Sequence, residues 1–114
     1  MHIPQPRRVF AALLLAAVAT VTITIEGPAQ AQGDAAVVIK NFDFSPMAVT
    51  VPAGASVTWK NLDGEPHTVT SVDGLFRSGA LDQGDSFTFK FIKPGVYRYL
   101  CSIHPRMTAS VTVK

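Results

Sequence analysis

Beyond Ala31 the chain shows no helical periodicity; its regular signal is short apolar–polar alternation cut by turn residues, which restricts it to strands. Residues 35–40 read as a first strand and residues 47–51 as a second, past the Ser45-Pro46 corner. Pro52-Ala53-Gly54 turns the chain into residues 56–61, where Val57 and Trp59 share a face. Residues 67–71 form another short run closed by Asp73-Gly74, and residues 86–91 put Phe87, Phe89 and Phe91 on one side. Lys93-Pro94-Gly95 leads into residues 96–101, with Tyr97, Tyr99 and Cys101 together. The last run, residues 108–113, sets Ala109, Val111 and Val113 opposite Thr108, Ser110 and Thr112. About seven short strands with regular turn signals predict an all-β, antiparallel β-sandwich, each strand burying one face. Residues 72–82, around Ser78-Gly79-Ala80, read as loop or a short irregular strand.

The start of the chain has a different character. Arg7 and Arg8 precede a run over residues 9–25 that is apolar apart from threonines, and Ala29-Gln30-Ala31 matches an A-x-A cleavage site. The expectation is an N-terminal apolar signal segment over residues 1–31 and a single domain over residues 32–114, exported to the periplasm. The competing reading is an uncleaved membrane anchor, because the run is slightly long for a signal core; the threonines and the A-x-A site favour cleavage. Arg7-Arg8-Val9-Phe10 also resembles the twin-arginine export signal, with an ordinary basic leader as the alternative.

Without the leader, eight Lys and Arg face seven Asp and Glu, a net charge of +1. That balance gives no electrostatic footprint for nucleic acid or an acidic membrane surface, so neither is an expected partner, and the exported domain is expected to be a monomer. A domain this small has a marginal core. Its one cysteine, Cys101, excludes an internal disulfide, and a lone thiol in an exported chain points to a reactive group or a metal ligand.

Cys101, His104 and Met107 stand at C-x2-H-x2-M between the last two predicted strands. Thiolate, imidazole and thioether reach one point only if that loop curls around it. Thiolate with thioether favours copper, and a trigonal His2Cys set with a weak axial Met is the type 1, or blue, arrangement. Zinc would take another Cys, His or carboxylate in place of Met. The only other histidine in residues 32–114 is His67, which follows Glu65-Pro66 at the opening of a strand. Taken singly, each of these residues is more often a packing or surface residue; taken together, both histidines and the only cysteine fall into one pattern. Pro105 withholds a backbone N–H from the loop, which limits the hydrogen bonds reaching the Cys101 sulfur and should influence a redox potential.

These residues resemble the cupredoxins, and the short ligand loop is similar to that of the amicyanins. The likeness runs through Phe44-Ser45-Pro46, Val57-Thr58-Trp59-Lys60-Asn61, Pro66-His67-Thr68-Val69, Gly95-Val96-Tyr97-Arg98-Tyr99 and residues 101–107, nearly the whole of residues 32–114. It implies a Greek-key sandwich with one copper ion near one end, held by His67, Cys101, His104 and Met107, and His104 at the surface as the electron port. It also implies that the Asn61 side chain ties the His67 segment to Ser102. Arg106 stands where amicyanins carry an aromatic residue, which separates its docking surface from theirs.

The expected function is that of a small soluble type 1 copper protein carrying single electrons between a redox donor and acceptor by Cu(II)/Cu(I) cycling. Those partners would dock transiently at Pro66, Ile103 and Arg106 around His104. An exported copper carrier or chaperone is the alternative. A copper oxidase or nitrite reductase would need further histidines and a second domain, so no enzymatic activity is expected.

Overall fold

The structure, a computed structural model, describes residues 1–6, 12–24 and 33–114. The twin-arginine stretch and the cleavage site at Ala31 lie outside the described residues. Residues 1–6 and 12–24 carry neither helix nor strand, and no helix among the described residues is long and apolar enough to cross a membrane.

Eight strands follow: β1 (Ala35–Lys40), β2 (Asp43–Ser45), β3 (Ala48–Val51), β4 (Ser56–Asn61), β5 (Thr70–Ser71), β6 (Ser86–Lys90), β7 (Gly95–Leu100) and β8 (Thr108–Val113). They form two four-stranded sheets, ordered β2-β1-β4-β6 and β3-β8-β7-β5. The expected all-β, two-sheet sandwich is therefore present. Its pairing is mixed rather than wholly antiparallel: β1 lies parallel to β4 and β3 parallel to β8, with Ile39 opposite Asn61 and Val51 opposite Val113. Alternation sets which face a residue takes but carries no information about strand direction, so this difference was invisible in the pattern.

The faces are those the alternation predicts. Val57 and Trp59 of β4, Tyr99 of β7, and Val111 and Val113 of β8 are buried between the sheets, with Phe91 just past β6. Trp59 sits at the centre, its ring 5.4 Å from Tyr99 and 5.8 Å from Phe76. Phe76 comes from residues 72–82, which show no clear strand period. That segment runs back along residues 67–71: the Ser71 N–H donates to the Phe76 carbonyl at 2.9 Å, and the Ser78 N–H to the Val69 carbonyl at 2.9 Å. It thereby delivers a core aromatic without forming a strand. Only Thr70 and Ser71 of the expected strand over residues 67–71 are laddered to β7, since His67 and Thr68 turn to other partners.

The antiparallel β7–β8 pair positions the functional end. Leu100 pairs with Thr108, so residues 101–107 form the connection of this hairpin, closed at its base by the ladder. The Cys101 N–H donates to the Met107 carbonyl (3.1 Å), the His104 N–H to the Cys101 carbonyl (3.2 Å) and the Met107 N–H to the His104 carbonyl (2.9 Å). The loop is curled by its own backbone, as convergence of its three side chains requires.

Candidate metal centre

Cys101 leaves β7 with its side chain inside the sandwich, fully buried. Its sulfur accepts a hydrogen bond from the Thr68 N–H at 3.3 Å. Burial pushes the thiol up, but that N–H and the imidazoles of His67 and His104 outweigh it and bring the pKa from 9.0 to about 6. That shift favours the thiolate, the form that binds metals.

His67 is fully buried, and its backbone is fixed by a reciprocal pair of bonds with Leu81: N–H to carbonyl at 3.1 Å and the return bond at 2.7 Å. Its Nε2 lies 2.8 Å from Asp63 Oδ2. Burial acts to raise the Asp63 pKa, yet the N–H groups of Phe42 and Asn41 and the His67 ring together hold it below the usual carboxylate value. An ionised carboxylate only accepts, so Nε2 carries a proton, which leaves Nδ1 as the ring nitrogen placed to bind a metal. That Nδ1 is 3.8 Å from Cys101 Sγ. The second imidazole, on half-buried His104, presents Nδ1 at 3.7 Å from the same sulfur. All three donor atoms lie within 4.8 Å of one another, and Met107, the fourth predicted ligand, is buried on the same loop.

The brace between the two ligand-bearing segments differs from expectation. Asn61 is fully buried but does not bond Ser102. Its Nδ2 donates to the Glu65 and Leu81 carbonyls at 2.9 and 2.8 Å, and its Oδ1 accepts the Asp63 N–H at 2.9 Å. Asn61 thus shapes the stretch leading into His67 and holds the Leu81 backbone that pairs with it. The tie to Ser102 is made by Thr68, whose Oγ1 accepts the Ser102 N–H at 2.7 Å and meets the Ser102 hydroxyl at 2.9 Å. Being adjacent to His67, Thr68 can bond the sulfur through its backbone and Ser102 through its side chain at once.

The family model described as a cupredoxin-like domain matches residues 11–113. The chain belongs to the cupredoxins. Amicyanin-alpha from Methylorubrum extorquens is 32% identical over 117 residues, spanning 92% of this chain and 96% of that one. A purple cupredoxin from Nitrosopumilus maritimus superposes with a TM-score of 0.66 at 38% identity, covering 71% of this chain and 100% of that one. A copper-containing nitrite reductase from Thermus scotoductus has a TM-score of 0.69 at 26% identity, but only 25% of its length is covered. That match carries the sandwich and not the reaction.

The donor set fits the cofactor of the family. Two imidazole Nδ1 atoms, one thiolate and a neighbouring thioether are arranged for a single type 1 copper ion, and among the described residues no further cysteine or carboxylate joins the cluster to favour zinc.

Outside the cluster, the surface of this cupredoxin is a shallow depression of about 510 Å³ in which Ile103, His104, Pro105 and Arg106 meet Phe42 and Asp43. Ile103 and Arg106 are exposed there, whereas Pro66 is half-buried beside His67 and does not line the depression. Three contributors were not read from the sequence: Phe42, Asp63 and Thr68. An acid four residues ahead of His67 was the one available signal for Asp63.

Proposed function

We propose that this cupredoxin is an exported one-electron carrier, with His67 Nδ1, Cys101 Sγ and His104 Nδ1 as the strong copper ligands and the Met107 thioether as the weak axial one. Copper, when bound, supplies the Cu(II)/Cu(I) couple. The observation that carries the reading is the convergence of two imidazole Nδ1 atoms on one buried thiolate, at 3.8 and 3.7 Å, from two backbone segments braced to each other. Such a frame keeps the donors in place through a change of charge, which fast electron transfer requires. Pro105 has no N–H to offer the sulfur, leaving Thr68 as the backbone donor that tunes it.

Half-buried His104 is the exit for the electron. The exposed Ile103 and Pro105 around it suit a small, quickly released interface with redox partner proteins. A copper-delivering protein is distinguished by exchange. An anaerobic redox titration with copper-exchange kinetics is expected to give a reversible one-electron couple and slow metal loss; fast copper transfer to a chelator without a reversible couple would reject the carrier reading. Export through residues 1–31 predicts that periplasmic protein begins at Gln32 on N-terminal sequencing, whereas an intact Met1 in membranes would favour the anchor.

A further inference from the structure

The turn between β1 and β2 holds a bulky side chain in a backbone conformation that such residues avoid. Asn41 and Phe42 both have positive φ, 53° and 59°. A conformation of this kind persists only where its surroundings over-determine it, and such sites cluster around function. What fixes this one is Asp63. The Asn41 N–H donates to Oδ1 at 2.8 Å and the Phe42 N–H to Oδ2 at 3.0 Å, while the same Oδ2 accepts from His67 Nε2 at 2.8 Å. One carboxylate therefore joins a surface turn to a buried imidazole.

The result is a ring in a definite place. Phe42 stands edge-on to both imidazoles, its centroid 5.1 Å from His67 and 5.0 Å from His104, with interplanar angles of 89° and 88°. The two imidazole centroids are themselves 5.0 Å apart, so Phe42 covers the gap between them. The residue remains 46% exposed, so burial alone does not explain its position. We infer that Asp63 is a positioning residue for the copper centre: it fixes the ring of His67 and, through the Asn41-Phe42 turn, holds Phe42 as a cover that keeps water and small anions away from the space between the histidines. The inference rests on the copper reading above, in that the space covered is the metal's.

The test uses the whole protein with copper alone, azide as the probe anion, and the variants Asp63→Ala, Asp63→Glu, Phe42→Ala and Phe42→Leu. In Asp63→Ala, Cu(II) affinity by chelator competition is expected to fall ~10–100-fold, the range for loss of a carboxylate behind a ligand histidine. Asp63→Glu should recover part of it. Azide should change the visible and paramagnetic resonance spectra of Phe42→Ala and Asp63→Ala but not of wild type or Phe42→Leu. In the metal-free protein the His67 Nε2–H should exchange slowly with solvent by proton NMR, and fast in Asp63→Ala only. Wild-type copper affinity in Asp63→Ala, or exclusion of azide by folded Phe42→Ala, would overturn the inference. Should Asp63→Ala fail to fold, Phe42→Ala and Asp63→Glu still decide it. Should wild type lack a thiolate–copper band, the copper reading fails, and the proton-exchange result alone still judges Asp63.

Discussion

His67 and His104 face the same sulfur from nearly the same distance, yet the protein holds them in opposite ways. His67 is fully buried, laddered to Leu81 on both backbone groups and tied through Nε2 to Asp63. His104 sits half-buried on a loop whose curvature comes from its own three backbone bonds, and its neighbours Ile103, Pro105 and Arg106 are exposed. One half of the site is anchored in the sandwich and the other faces out of it. The contrast suits a carrier, which needs one face that does not move and another that a partner can reach.

The largest expected effect comes from deleting each ring. His104→Gly should open a hole to solvent and abolish the thiolate–copper band, and added imidazole should restore it. His67→Gly opens a hole behind Phe42 and Asp63, so imidazole should not restore the band. Equal rescue of the two variants would break the contrast between anchored and outward halves.

Thr68→Val tests the brace between the halves. It keeps the backbone N–H on the sulfur but removes the acceptor of the Ser102 N–H, a hydrogen bond with a net worth of about 0.5–1.5 kcal/mol at this exposed residue. Thermal or urea unfolding of the metal-free protein should register that loss, with Thr68→Ser close to wild type. No change in stability would mean that the two segments stand without the tie.

Met107→Leu should retain copper and colour while the reduction potential rises, because Cu(II) loses more than Cu(I) when a weak donor is removed. Loss of copper binding in that variant would show that Met107 is not a weak ligand. Arg106→Glu should act least, leaving the spectrum unchanged and slowing electron transfer with an acidic partner only at low ionic strength. Asp43 in the same depression already offsets part of the Arg106 charge, which keeps the effect small. A rate indifferent to both charge and salt would place the docking surface elsewhere.

Much of the site and the sandwich was legible because the relevant signals are contiguous. Cys101, His104 and Met107 share one loop, and the alternation through β4, β7 and β8 sorts Trp59, Tyr99 and Val111 to the inside. The parts that could not be read are those created by tertiary proximity. Strand β2, three residues long, is too short to display a period, and Phe76 enters the core from an irregular segment. The parallel pairings depend on chain path and not on composition. Phe42 covers the histidines only because Asn41 and Phe42 take positive φ, which neither residue type announces. The role given to Asn61 by resemblance belongs to Thr68, since the Asn61 amide is taken up by the Glu65 and Leu81 carbonyls.

Two histidines and one thiolate, held by this frame, are arranged for a single type 1 copper ion. Titrating the metal-free protein with Cu(II) while recording visible absorption and paramagnetic resonance tests it most directly. An intense thiolate–copper band is expected that saturates at one copper per chain and is absent in Cys101→Ser. Copper uptake without that band, or a band that survives in Cys101→Ser, would contradict it.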